Sequence, residues 1–141
     1  MRENTRRPLP RFPEALTEPF WELTRAHRLG YQVCQRCQGL VFYPRRHCTH
    51  CTSTALEWRD SSGKGYIYTF TVMRQHAYPV FQAMIPYVLA LVDLDEGFRM
   101  LTQIVDVDPA AVRVGQRVQV RWLDQDTVAL PIFGLCTGEQ D

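Results

Sequence analysis

Lysine is almost absent from this chain: Lys64 is the only one, and the other fifteen basic residues are arginine. Chemistry that needs a nucleophilic amine, such as Schiff-base formation, would have to rest on that one side chain. Long apolar runs are missing as well. Even the stretch Tyr87 to Val92 stops at Asp93, well short of the roughly 18 apolar residues expected of a membrane-crossing helix. The first residues are rich in Arg and Pro and carry no apolar signal core, which argues against export and for the cytoplasm. There is no internal repeat and no low-complexity tract. Catalytic groups are scarce too, with four histidines in the whole chain and no recognisable set of nucleophile and base.

What is present is cysteine in pairs. Cys34-Gln35-Arg36-Cys37 and Cys48-Thr49-His50-Cys51 account for four of the five cysteines. Each CxxC pair can fold into a knuckle with two thiolates on one side, and two facing knuckles supply the tetrahedral sulfur cage that structural zinc prefers. Gly39 fits this reading, because a knuckle needs a residue tolerant of positive φ just beyond its last ligand. Two disulfides or a CxxC redox motif are the competing readings of the same spacing. Cys34, Cys37, Cys48 and Cys51 are thus the expected ligands of one Zn2+, and four thiolates leave no coordination position for water or substrate, so the metal is expected to hold structure. Reduced thiols agree with a cytoplasmic location.

A length of 141 residues suits one core, or a small metal module beside one compact domain. The net charge of +1 conceals an asymmetry: residues 1–60 hold ten Arg against six acids, residues 61–141 six basic residues against nine acids. That split reads either as uneven solvated surface or as a docking face for a phosphate-bearing ligand or acidic partner.

Residues 1–16, with Pro8, Pro10 and Pro13 among four Arg, are expected to run as an extended arm. Thr17 is placed to cap a helix of about three turns with Pro19 in its first turn, running to Arg28 and stopped by Gly30. Phe20, Trp21 and Leu23 form its apolar face, which packs on its own domain or on another chain. Short strand-like pieces at 31–33, 40–43 and 56–58 surround the cysteines. Beyond the turn at 61–65, strand signals cover 66–73, 87–94, 98–105, 117–122 and 128–133, with a helical turn at 109–112 capped by Asp108. Tyr66, Tyr68 and Phe70 are assigned to one inward face of the first of these strands, and Val118, Val120 and Trp122 to the inward face of the fourth. Three strands, a short helix and two strands are the order of an OB-fold barrel. The fold class is therefore mainly β: an arm and helix at 1–30, a rubredoxin-like zinc ribbon at 31–60 and a five-stranded OB-fold barrel at 61–141. The loop from Arg74 to Pro86 is rich in apolar residues, and either folds back over a barrel mouth or marks a binding surface.

In its landmarks the chain resembles the zinc-ribbon and OB-fold proteins catalogued as domain of unknown function 35. These landmarks are Phe20-Trp21, the two knuckles with Gly39, Pro44-Arg45, Trp58, and Ser62-Gly63-Lys64-Gly65 leading into Thr69 and Thr71. They continue with Pro86-Tyr87, Leu94-Asp95-Glu96-Gly97-Phe98-Arg99, Val114-Gly115 and Leu130-Pro131-Ile132-Phe133. Thr49-His50 departs from the proline frequent after the first thiolate of the second knuckle, and Pro44 stands alone where two prolines are common. Family members accompany thiolase-like enzymes acting on acyl-CoA esters, including thiolases, acyltransferases and the retro-aldolases of steroid side-chain breakdown. The resemblance implies a non-catalytic subunit of a hetero-oligomer that docks on a thiolase-like protein, with an enoyl-CoA hydratase-like protein as a further partner, and shares a CoA ester with it.

Phe20, Trp21, His76, Tyr78 and Phe81, with Arg45 and Arg74, are the candidate contacts to partner or CoA path, because an apolar groove suits pantetheine and Arg suits its phosphates. Arg45 reads equally as a surface residue that tethers the ribbon, and His76 equally as a satisfied loop histidine. His27 is assigned to the surface, His47 and His50 to the flanks of the thiolates, and Cys136 to a half-buried thiol without a base. The rival reading is a module that binds single-stranded nucleic acid, the generic use of a ribbon joined to an OB barrel. The net acidic barrel half and the inward placing of Tyr66 and Tyr68 speak against it.

Overall fold

A computed structural model describes residues 6–10, 15–76 and 78–136. Most of the expected arm, residues 1–5 and 11–14, lies outside the described residues. Helix α1 spans Glu18–Arg25, with Pro19 in its first turn and Thr17 as a cap whose side chain makes no capping hydrogen bond. It is shorter than the sequence suggests. Its end is closed by His27, at φ 57, with the His27 N–H on the Thr24 carbonyl at 2.8 Å and the Arg28 N–H on the Leu23 carbonyl at 3.0 Å. This is the Schellman arrangement, made without glycine. Gly30 serves elsewhere: it opens the first strand, where a Cβ would lie 2.4 Å from the Leu23 side chain.

Strands β1 (Gly30–Cys34), β2 (Leu40–Val41) and β3 (Leu56–Asp60) form an antiparallel sheet in the order β2-β1-β3. Strands β4 (Lys64–Met73), β5 (Tyr87–Leu94), β6 (Arg99–Val105), β7 (Arg117–Gln125) and β8 (Val128–Leu135) close a barrel in the order β4-β5-β6-β8-β7. A 3-10 turn at Pro109–Ala111 precedes β7, and the Asp108 carboxylate accepts the Ala110 N–H there. This is the expected OB-like barrel. Alternation does the work in β5, where Val88, Ala90, Val92 and Leu94 all point inward and are buried.

Two features of the barrel bear on function. First, β6 and β8 run parallel and pair only at Ile104 with Phe133 and Val105 with Gly134. Ahead of that point, the Thr102 hydroxyl donating to the Pro131 carbonyl at 3.3 Å is the link across the seam. Pro131 has no N–H to offer a neighbouring strand, which suits a position where the ladder stops. Second, β4 carries a bulge between Ile67 and Thr69. The extra residue, Tyr68, shifts the phase of the strand, so Phe70 packs on the core while Tyr66 and Tyr68 remain 44% and 49% exposed. The expectation that all three face inward fails for the tyrosines because strict alternation does not survive a bulge. Their rings are covered instead by the Arg117 guanidinium, 4.7 Å from the Tyr66 centroid, and the Arg99 guanidinium, 3.4 Å from that of Tyr68. Asp95 and Asp93 hold those arginines in place.

Helix, ribbon and barrel share one hydrophobic core that includes Phe20, Leu29, Tyr31 and Val33 together with Ile67, Val92, Phe98 and Phe133. An aromatic chain crosses the joint. Phe98 stacks on Tyr31 at 4.9 Å and on Phe42 at 4.7 Å, and Phe42 meets Phe20 edge-on at 6.0 Å. The loop after β4 contains a single helical turn, α2 (Pro79–Gln82), that the sequence does not announce. It buries Val80 and leaves Tyr78 exposed, so the loop packs one apolar side chain inward and presents another as surface.

Candidate functional site

The two knuckles sit where β1 ends and where the long ribbon loop returns to it. The four sulfurs of Cys34, Cys37, Cys48 and Cys51 all lie within 4.8 Å of one another. The Cys34 and Cys51 sulfurs are 3.6 Å apart and those of Cys37 and Cys48 are 3.5 Å apart, close to the edge of a tetrahedron drawn with zinc–sulfur bonds of about 2.3 Å. Backbone N–H groups of Gly39 and His50 donate to the Cys37 and Cys48 sulfurs at 3.4 and 3.3 Å, as thiolates require. The positive φ that closes each knuckle falls on Gln38 (66°) and Thr52 (68°), the residues immediately after Cys37 and Cys51. Gly39 was expected in that role. Its glycine answers a close approach instead, since a Cβ would stand 2.4 Å from the His50 ring.

The electrostatics suit a cation. The Cys37 backbone N–H, against the upward push of burial, brings the Cys34 thiol down to about 6. Cys37, although the Gly39 N–H favours its thiolate, is pushed up to about 12 by burial and by its three thiol neighbours. Four anionic sulfurs cannot share so small a volume without a positive charge, and a divalent ion supplies it. The donor set therefore fits zinc. His50 is committed elsewhere, its Nε2 lying 3.1 Å from the Leu40 carbonyl oxygen, and His47 is exposed.

Four of the other candidate residues fall around the β6–β8 seam. A groove of about 460 Å³ opens there. Its floor is Met100 to Gln103 and Leu130 to Ile132; Phe20 and Trp21 of α1, Phe42 and Tyr43 of the ribbon loop, and His76, Phe81 and Tyr87 form its walls. The structure thus brings Phe20, Trp21, His76 and Phe81 to one place. His76 accepts the Tyr78 N–H on Nδ1 at 3.0 Å and lies 4.7 Å from the Phe81 ring. Tyr78 stays outside the groove but parallel to Phe81. Arg74 borders an adjoining cleft with Gln75, His76, Gln82 and Ile85. Arg45 lines neither: its backbone N–H and carbonyl are bracketed by the buried side chain of Gln32 at 2.9 and 3.1 Å. Cys136, half-buried, lines a separate cleft with Lys64, Arg117 and Arg121. His27 stacks on Trp122 at 5.3 Å, with Nε2 2.9 Å from an Asp124 oxygen.

Tyr43, Leu101 and Arg7 line the groove without having been singled out from the sequence. Only Pro131, a proline inside a strand, offers a local sign of a broken ladder.

Comparison with known proteins adds the following. Residues 21–57 match the family described as "ChsH2, rubredoxin-like zinc ribbon domain", and residues 58–123 match "ChsH2, C-terminal OB-fold domain". A "DUF35 domain-containing scaffold protein" of Methanothermobacter thermautotrophicus is 39% identical over 100 residues, covering 70% of this chain and 74% of that protein. A "Probable enoyl-CoA hydratase alpha subunit" of Thermomonospora curvata is 35% identical over 116 residues, 81% of this chain but 36% of that protein. The chain therefore spans about a third of the hydratase subunit's length. Among solved structures, one chain of "Ltp2-ChsH2(DUF35) aldolase" superposes with a TM-score of 0.80 at 31% identity, covering 89% of this chain and 98% of that one.

Proposed function

Because this chain belongs to the DUF35 family of zinc-ribbon and OB-fold proteins, we propose that it is a non-catalytic subunit that docks on a thiolase-like enzyme and forms part of the path of that enzyme's acyl-CoA ester. One observation carries this reading: the likeness to a component of a structure titled as an aldolase extends over nearly all of that component. The hydratase subunit that contains a segment like this chain supports an enoyl-CoA hydratase-like protein as a second partner.

The residues take defined parts in this scheme. Zinc held by Cys34, Cys37, Cys48 and Cys51 would order the ribbon loop, which places Phe42 and Tyr43 against the barrel, and four thiolate ligands would leave the ion no position for substrate. Phe20, Trp21, His76 and Phe81 would meet partner or ester at the groove, with Arg74 and Tyr78 on its flank. Arg45, whose backbone Gln32 holds, would serve the ribbon. A stacking platform for single-stranded nucleic acid is not favoured. The exposed tyrosines of β4 are covered by Arg99 and Arg117, so a base would have to displace both guanidinium groups from their aspartates.

The test is reconstitution. This chain, a thiolase-like enzyme from a neighbouring reading frame, and their mixture are assayed for carbon–carbon bond cleavage and formation in an acyl-CoA. Activity is expected from the mixture alone. Turnover by this chain by itself, or full turnover by its partner without it, overturns the reading.

A further inference from the structure

Among the described residues lining the groove on the β6–β8 seam, one is charged. Arg7 reaches it from the N-terminal arm, held by a two-point clamp in which its N–H donates to the Gln125 Oε1 at 3.0 Å and its carbonyl accepts from the Gln125 Nε2 at 2.8 Å. Arg6 beside it pairs with Asp126. Arg7 is half-buried, and its Nη2 lies 4.0 Å from the Met84 sulfur. No carboxylate contacts it among the described residues, and burial works against its charge, holding its pKa below the ordinary guanidinium value. An arginine does not escape this by losing its proton. The result is a permanent cation, without a carboxylate partner among the described residues, at a groove whose lining includes Phe20, Trp21, Phe81 and Leu101.

We infer that this groove binds a small apolar monoanion, a carboxylate on a hydrocarbon body, with the carboxylate against Arg7 and the body along Leu89, Leu101 and Ile132. The volume, about 460 Å³, lies within the roughly 300–1,000 Å³ typical of small-molecule sites, and the mixture of aromatic walls with few polar groups is theirs too. A carboxylate matches the planar fork of a guanidinium through two parallel hydrogen bonds. A phosphate monoester, carrying close to two charges near neutrality, would outweigh the single cation. The Tyr43 hydroxyl accepts the Leu101 N–H at 2.8 Å and keeps its own hydrogen to donate to such a ligand. The inference concerns this chain by itself and stands or falls independently of a thiolase-like partner.

The experiment titrates decanoate and decan-1-ol into the zinc-loaded full-length chain by calorimetry, with two-dimensional NMR to locate the site. Decanoate is expected to bind about tenfold or more tightly than the alcohol, the difference one charge-assisted pair supplies. R7Q should bring decanoate down to the level of the alcohol while leaving the alcohol unchanged. R7K, which keeps the charge and loses the fork, should fall between. L101W, at a groove-lining residue that is 54% exposed, should weaken both ligands without altering the thermal midpoint. Equal affinities for the two probes, or full decanoate binding by R7Q, would overturn the inference. So would no binding of either; if L101W then weakens a complex with the partner enzyme, the groove is a protein-docking surface.

Discussion

The backbone N–H of Leu101 donates to the hydroxyl of Tyr43 at 2.8 Å, so a side chain of the ribbon loop satisfies a strand of the barrel. β6 has β5 on its other side, with Leu101 opposite Leu91, but no ladder to β8 at this height. A phenol stands in for the missing neighbour, and the groove lies beside it. Replacing Tyr43 with Phe should therefore lower stability by only about 0.5–1 kcal/mol, because water can reach the freed N–H of Leu101, a residue 54% exposed. The specific readout is hydrogen exchange: the Leu101 amide should lose protection while that of Val92, deep in the barrel, keeps it.

Zinc should matter beyond the ribbon. Native mass spectrometry is expected to find one zinc ion per chain, and Cys48→Ser to remove it, with a loss of folding free energy of order 10 kcal/mol from the metal site. Because Phe98 of the barrel stacks on Tyr31 and Phe42 of the ribbon, the barrel's thermal midpoint should fall together with the ribbon's on chelation. A well-folded protein with two disulfides and no metal would refute the zinc assignment.

Acid should weaken the barrel through Asp95. Hydrogen bonds from the Arg117 fork at 2.6 Å, opposed only by slight burial, hold that carboxyl below its ordinary value. A carboxyl depressed in the folded state contributes stability above its unfolded pKa of about 4, and that contribution is lost as pH falls below it. Urea midpoints measured between pH 7 and pH 3 should drop less steeply for Asp95→Asn than for the native chain, with the two curves converging at the acid end.

Trp21 is half-buried, packed edge-on against Phe20 at 5.0 Å, and lines the groove. Trp21→Ala should weaken the complex with a thiolase-like partner by about 2 kcal/mol or more. Surface plasmon resonance of mutant and native chains decides this, against thermal unfolding of each alone. A mutant that loses stability in isolation yet keeps full affinity places Trp21 in the core only.

The parts legible from the sequence were those with short-range causes. Two CxxC spacings put four sulfurs within reach of one ion because a knuckle closes over a few residues, and strict alternation marked β7. The bulge at Tyr68 escaped because nothing in a tyrosine-rich strand says where one residue will go unpaired. The helix end escaped for a similar reason: glycine is the usual left-handed residue, but here His27 takes that conformation, stacked on Trp122.

The amino-acid order alone, then, determined the metal cage and the succession of strands, since both follow from local spacing and side-chain periodicity. The groove belongs to the tertiary structure. Its walls come from the arm, α1, the ribbon loop, the loop bearing α2 and the β6–β8 seam, and its arginine, Arg7, is held by Gln125, 118 residues away along the chain. No local pattern encodes that meeting, because the free energy that brings those segments together comes from a core they share only once folded.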